Sequence, residues 1–156
     1  MKRWRLYRNQ SGFSLGELLM VVAVIGIVSV LCTPFFISYS QAARLKGGAQ
    51  ELATILNQAR QLAITRNSPT CVVQAGNKVR VRLTTCAGTI WTAPGTDASG
   101  WFNLTDDIRV SNATANVIFT HLGTASTAGT YTVQNPQTNR TLSVIVALSG
   151  RITIGP

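Results

Sequence analysis

The strongest constraint on this chain is an uncharged apolar run near its N-terminus. From Leu18 to Ile37 the sequence reads LLMVVAVIGIVSVLCTPFFI. Twenty residues of α-helix rise about 30 Å, which is the thickness of the hydrocarbon core of a bilayer. The run therefore predicts a membrane-spanning helix over about residues 15–37.

Basic residues are unevenly distributed around this run. Four of the 14, Lys2, Arg3, Arg5 and Arg8, precede it. Because basic residues accumulate on the cytoplasmic side of a membrane, we expect a cytoplasmic N-terminus, with everything after Ile37 on the far side. Without those four residues, 10 basic residues remain against 5 acidic ones, and the net charge falls from +9 to +5.

Two simpler interpretations share these features. One is a secretory signal peptide cleaved near Ser40-Gln41-Ala42, and the other is a plain single-pass anchor. The apolar stretch is longer than the apolar region of a typical signal peptide. In addition, Pro34-Phe35-Phe36 intervenes before the cleavage site, and Glu17 lies at the start of the run. These features disfavour a cleaved signal peptide.

Glu17 is the only acidic residue before Glu51, and it lies at the mouth of the apolar segment. An unpaired carboxylate in hydrocarbon costs several kcal/mol or stays protonated, so such groups usually have a partner. Cleavage after Gly12 would give Phe13 a free amine, which could meet Glu17 of a neighbouring parallel helix. Alternatively, Glu17 lies at the membrane interface and is stabilised by the helix dipole. Charge alone does not separate these interpretations.

The complete N-terminal pattern is a basic leader, the Gly12-Phe13 junction, a glutamate at the fifth residue after it, and a long apolar helix. It resembles the class III signal of type IV prepilins and type II secretion pseudopilins. The resemblance implies that a prepilin peptidase cuts between Gly12 and Phe13 and methylates Phe13, and that Glu17 directs assembly. Pro34 lies where many such subunits carry a helix-kinking proline. Gly16 departs from the pattern, which usually has a larger aliphatic residue there.

Beyond the membrane the helix is predicted to continue. Apolar residues recur at spacings of 4, 3, 4, 3 and 4, at Leu45, Ala49, Leu52, Leu56, Ala59 and Ala63. This spacing is typical of one apolar stripe on an amphipathic helix. Asn67-Ser68-Pro69 ends the pattern. A coiled coil is disfavoured because regular charge pairs are missing beside the stripe.

After Pro69 the composition is typical of short strands. Val79, Val81 and Leu83 alternate with Lys78, Arg80 and Arg82, and further strands are predicted at Trp101–Leu104, Ile108–Val110, Val117–Thr120, Tyr131–Gln134, Thr141–Leu148 and Ile152–Ile154. The predicted fold class is α+β: a long N-terminal helix packed on a small antiparallel β-sheet head. The predicted domains are a leader at 1–12, a helix at 13–66 and a head at 67–156.

Cys71 and Cys86 are a candidate disulfide. The predicted topology places the head in an oxidising compartment, and Cys32 is assigned to the membrane. Closing a loop of about fifteen residues would stabilise the head by roughly 3 kcal/mol. The alternative is two free thiols. With one histidine and few acids, neither a metal site nor a cofactor is expected.

The head resembles the family that joins the FimT and FimU minor pilins with the GspH pseudopilin. The resemblance is carried by Glu51-Leu52-Ala53, by the stretch from Ala59 to Asn67, by Gly100-Trp101-Phe102 and by Ser149-Gly150-Arg151-Ile152. It implies a minor subunit that helps initiate or cap a type IV pilus. The implied partners are other major and minor pilins or pseudopilins, the prepilin peptidase and the inner membrane, with the head in the periplasm. The alternative is a GspH-type pseudopilin of a type II secretion system.

Some FimT-type minor pilins bind DNA through a basic Gly-Arg-x-Arg motif. Here Gly150-Arg151-Ile152-Thr153 lacks the second arginine. A second candidate is the row formed by Lys78, Arg80 and Arg82, because alternate strand residues lie about 6.8 Å apart, comparable to successive phosphates. The favoured interpretation of that row is a solvated sheet face that discourages edge aggregation.

An enzyme is disfavoured by the lack of a recognisable motif. His121 is the only histidine, and Asp106-Asp107 lies in a predicted turn without an obvious partner. No nucleophile elbow, phosphate-binding glycine loop or metal-ligand spacing is present. A membrane-tethered binding module that never polymerises is a third hypothesis, which the presence of the chain in sheared filaments would exclude.

Mass spectrometry of the mature protein tests the processing prediction. We expect an N-methylated Phe13 as the first residue and a mass two hydrogens below that of the reduced chain, because of the cystine. Any other N-terminus would contradict the predicted cleavage.

Overall fold

The computed structural model describes residues 12–104 and 107–155. The predicted leader up to residue 11 and Asp106 of the predicted turn lie outside the described residues. Within them are one helix and eight strands: α1 (Leu15–Thr65), β1 (Thr70–Ala75), β2 (Lys78–Leu83), β3 (Arg109–Ala113), β4 (Val117–Phe119), β5 (Ala125–Thr127), β6 (Gly129–Gln134), β7 (Thr141–Val146) and β8 (Ile152–Gly155). The chain divides into a unit that ends at Ser38 and one that begins at Tyr39, and α1 contributes to both.

In the first unit the apolar side chains of α1 are exposed. Val30 is 73% exposed and Phe35 is 77% exposed. The polar side chains here are satisfied by the helix itself, since the Ser29 hydroxyl donates to the Ile25 carbonyl at 2.7 Å and the Thr33 hydroxyl donates to the Ser29 carbonyl at 2.8 Å. Such internal bonding suits a helix in hydrocarbon. Among the described residues, α1 is the helix long and apolar enough to cross a membrane.

In the second unit the apolar stripe of α1 forms the core with two antiparallel sheets. The strand orders are β2-β1-β4-β5 and β3-β6-β7-β8. The six residues of the predicted stripe are all buried, at Leu45, Ala49, Leu52, Leu56, Ala59 and Ala63. Alanine occupies three of these positions, so the stripe combines small and large buried side chains.

The predicted α+β class is confirmed, but the head contains two sheets rather than one. β1 pairs with β4, so Thr70 lies opposite Phe119, nearly fifty residues further along the chain. Strand periodicity identifies which face of a strand is buried, but not which strand lies beside it. The sequence pattern therefore did not separate the sheets.

Several strand boundaries were predicted wrongly. Trp101–Leu104 is not a strand; within it, Phe102 forms isolated bridges with Val79 and Thr96. The strand predicted at Thr141–Leu148 ends at Val146, because the Gly150 N–H closes a turn onto the Ala147 carbonyl at 2.9 Å. β1 and β5 were not among the predicted strands. β5 is the three-residue segment Ala-Ser-Thr, which is too short and polar to show alternation.

Tyr131 joins the two sheets through a buried hydroxyl. It lies on β6, donates to the Val72 carbonyl of β1 at 3.0 Å, and accepts from the Val117 N–H of β4 at 3.3 Å. Burial disfavours the phenolate and raises the pKa of Tyr131 to about 12. The neutral phenol is therefore part of the folded state.

Tyr131→Phe should lower the free energy of unfolding by about 1–3 kcal/mol, because it leaves a buried N–H and a buried carbonyl without their partner. Urea unfolding of the full chain in detergent, followed by near-UV circular dichroism, measures this loss. Tyr39→Phe is the control, since Tyr39 is 74% exposed. Because folding raises the phenol pKa from about 10, the wild-type advantage is present below pH 10 and should shrink as the pH rises towards 12. Equal stability of the two variants would contradict this role.

Candidate assembly site

A capping box begins α1. Ser14 precedes the first helical residue, and its hydroxyl oxygen accepts the Gly16 N–H at 3.3 Å. In return, Glu17 Oε2 accepts the Ser14 N–H at 3.0 Å. This reciprocal arrangement satisfies two of the free N–H groups at a helix N-terminus. The Ser-x-x-Glu spacing of Ser14 and Glu17 is the sequence signal that predicts this pairing, because it is typical of a capping box.

The cap fixes the Glu17 carboxylate at the helix N-terminus, next to the predicted cleavage junction. Gly12 is exposed and Phe13 is 83% exposed, so both are accessible ahead of the helix. A Cβ added at Gly16 would lie 3.7 Å from the Ser14 hydroxyl, which is ordinary contact. Space within the chain therefore does not require glycine at position 16.

α1 continues through Pro34. Proline lacks an N–H, so the Val30 carbonyl loses its usual helical donor. Phe35 and Phe36 follow directly and are 77% and 73% exposed. An exposed apolar surface of this extent requires lipid or another helix as a partner.

The predicted disulfide is confirmed. Cys71 at the buried beginning of β1 is bonded to Cys86 in the turn after β2, with their Cα atoms 5.0 Å apart. The bond links the long segment between β2 and β3 to the β2-β1-β4-β5 sheet. Cys32 is a free, exposed cysteine on the apolar part of α1.

The basic residues of β2 are largely engaged by the segment that follows the strand. Lys78 Nζ lies 3.5 Å from an oxygen of Asp97. The Arg80 guanidinium stacks 4.2 Å from the centre of the Trp101 ring, and Arg82 donates to the Gly88 carbonyl at 2.9 Å. The predicted open basic face is thus partly covered by this chain's own loop, and its charges serve to hold that loop.

Asp97 anchors this loop from the other side. Its carboxylate accepts the N–H groups of Trp101 and Ser99, both at 2.9 Å. The Trp101 N–H, then that of Ser99 and the nearby Lys78, hold the pKa of Asp97 below its usual value. Asp97 therefore stays ionised and links the loop to β2.

Two motifs that are distant in sequence meet at the C-terminal end of α1. The Gly123 carbonyl oxygen accepts a hydrogen bond from Arg60 Nε at 2.7 Å. A Cβ added at Gly150 would lie 2.0 Å from the same oxygen, and Gly150 has φ of +78°. Packing and backbone conformation therefore require glycine at position 150. The neighbouring Arg151 is exposed.

The residues considered for catalysis are dispersed. His121 is exposed in the turn after β4, and Asp107 lies 3.4 Å from Arg109. Within residues 12–104 and 107–155, no group of three or more histidine, cysteine or acidic side chains is arranged to hold a metal ion.

A long α1, exposed and apolar at its start and buried against a two-sheet head further on, defines the pilin-like fold of the type IV pilin and pseudopilin superfamily. Residues 48–150 match the family model described as type II transport protein GspH. This match covers more than half of the chain. The chain belongs to the GspH family of minor pilins and pseudopilins, whose members are structural subunits rather than enzymes.

Two solved structures have the same fold. The type IV minor pilin FimU of Pseudomonas aeruginosa is 22% identical, with a TM-score of 0.52, over 76% of this chain and 92% of FimU. The minor pseudopilin EpsH from the type 2 secretion system of Vibrio cholerae is 12% identical, with a TM-score of 0.55, over 71% of this chain and 95% of EpsH. At these identities the similarity establishes the fold.

Gly150→Ala should destabilise the chain by more than about 1 kcal/mol, because the new methyl group would displace the Gly123 carbonyl and the backbone conformation would be strained. Gly155→Ala is the matched control, since its Cβ would lie 3.9 Å from the nearest atom. Urea unfolding of both variants measures the difference. A Gly150→Ala variant as stable as Gly155→Ala would contradict the packing requirement.

Proposed function

We propose that this chain is a minor subunit of a type IV pilus, which it helps to initiate or cap. In this proposal a prepilin peptidase cleaves between Gly12 and Phe13 and methylates Phe13. The chain then sits in the inner membrane through α1, with its N-terminus in the cytoplasm and its head in the periplasm, before it enters the filament with other pilins. The exposed apolar surface of the first unit carries the proposal, because it requires lipid before assembly and neighbouring helices afterwards.

The geometry at Glu17 supports a docking role. One carboxylate oxygen accepts the Ser14 N–H, and a carboxylate can accept further hydrogen bonds at its other oxygen. The amine of Phe13 in a neighbouring subunit would supply both a donor and an opposite charge there. In an apolar surrounding, leaving that charge unpaired is costly, so the pairing sets the register of the two helices.

Net charge supports a minor role in the filament. After loss of the leader the chain would carry 10 basic residues against 5 acidic ones. A filament built from this chain alone would accumulate like charge along its length and repel itself. Insertion beside less basic subunits avoids that repulsion.

The second candidate function is a subunit of a type II secretion pseudopilus. The description of the matching family model, a type II transport protein, favours it. Deleting the gene distinguishes the two filaments: loss of surface pili indicates the pilus, and loss of secreted proteins indicates the pseudopilus. We do not propose DNA uptake, because the basic side chains of β2 contact the loop that follows the strand.

Glu17→Ala should reduce the amount of this chain in sheared filaments at least tenfold, while the processed chain remains in the membrane. Ser14→Ala is the control, because it removes the helix cap without removing the carboxylate and should keep most incorporation. Immunoblots of the sheared and membrane fractions measure both. Incorporation of Glu17→Ala at the wild-type level would refute the docking mechanism.

A further inference from the structure

A groove lies between α1 and the edge of the β3-β6-β7-β8 sheet, within the second unit. It has a volume of about 640 Å³. Its apolar lining comes from Ala42 and Leu45 of α1, Leu142 of β7 and Ile154 of β8, and two cations, Lys46 and Arg140, also line it.

The apolar layer is incomplete at this edge. Ile154 pairs with Val144, which is fully buried, so the two side chains lie on the same inner face of the sheet. Ile154 is nevertheless 40% exposed. At Ile154 the inner face of β8 is therefore only partly covered, whereas Ile152 on the same face packs against the core.

The outer edge of β8 also offers main-chain hydrogen bonds. β8 is the last strand of its sheet in the part of the chain that the structure describes. The Ala147 N–H donates to the Arg151 carbonyl at 2.9 Å, and 147 and 151 are in register with the β7–β8 pairs. In an antiparallel ladder the groups that face the partner strand alternate, so those of Ile152 and Ile154 point away from β7.

The two cations that line the groove take part in no ion pair among the described residues. The ion pairs within residues 12–104 and 107–155 lie elsewhere, at Lys78 with Asp97 and at Arg109 with Asp107. Lys46 and Arg140 thus place positive charge beside an apolar recess. A ligand that fits both features combines apolar side chains with carboxylates.

We propose that this groove binds an extended acidic and apolar segment of a different filament subunit. The segment adds as a strand to β8, inserts an apolar side chain against Leu45 and Ile154, and directs a carboxylate to Lys46 and Arg140. A second copy of this chain is a poor occupant, since without the leader it has 5 acidic residues against 10 basic ones. This inference rests on the proposed role in a filament.

Photo-crosslinking of the full chain in its own membranes and filaments tests the occupant. A photoreactive phenylalanine analogue replaces Ile154 in one variant and Ile145 in its control, because Ile145 is 41% exposed on the opposite face of the same sheet. We expect position 154 to crosslink at least fivefold more than position 145 to an acid-bearing segment of another pilin-like subunit. The adduct should disappear when Lys46→Glu and Arg140→Glu are added. Adducts to lipid or to a second copy, equal labelling at both positions, or insensitivity to the charge reversal would each overturn the inference.

A peptide assay separates failure of the groove from failure of the filament proposal. Fluorescence anisotropy with purified full chain in detergent compares a labelled hexapeptide of alternating valine and glutamate with one of alternating valine and lysine. We expect at least tenfold tighter binding of the acidic peptide, with the preference lost in the Lys46→Glu, Arg140→Glu double variant. Absence of that preference overturns the groove assignment, even if sheared filaments contain the chain.

Discussion

The fold depends on burial of one apolar stripe of α1 against two sheets. Leu52 and Leu56 are fully buried there, and so are the alanines at 49, 59 and 63. Burial of a leucine side chain stabilises by about 1.5–3 kcal/mol, so this stripe is a principal source of stability in the head. The same helix has an equally apolar but exposed surface before Ser38. The same helix thus has a buried stripe in the head and an exposed apolar surface before it.

Contacts between residues that are distant in sequence then connect the parts of the head. The Tyr131 hydroxyl bonds main-chain groups of the other sheet, and the Cys71–Cys86 disulfide ties the long loop to that sheet. At the end of α1, the Gly123 carbonyl is bonded by Arg60 and closely approached by Gly150. Each link joins segments whose loop-closure entropy would otherwise oppose their meeting.

Within the described residues, the charged groups differ in whether they have an ion pair in this chain. Acidic groups are few, and Asp97 and Asp107 are held by cations of their own chain. Glu17 differs, because its carboxylate accepts a hydrogen bond from a main-chain N–H and pairs with no cation among the described residues. Within the described residues, Glu17 at the helix start and the cations of the groove are therefore among the charges without an ion pair. Both suit partners that this chain cannot supply by itself.

The sequence alone determined the features whose causes are local. The apolar run and the stripe predicted α1, because helical periodicity depends on neighbours three and four residues apart, and the cysteine pair was identified from compartment and number. The tertiary structure decided the rest. The head has two sheets rather than the predicted one, because strand pairing is non-local. Arg80 and Arg82 contact a loop rather than solvent alone, because that loop folds back over β2. The groove at Ile154 forms between the edge of a sheet and the first residues of the buried stripe on α1. These segments are distant in sequence, so no local spacing predicts the groove.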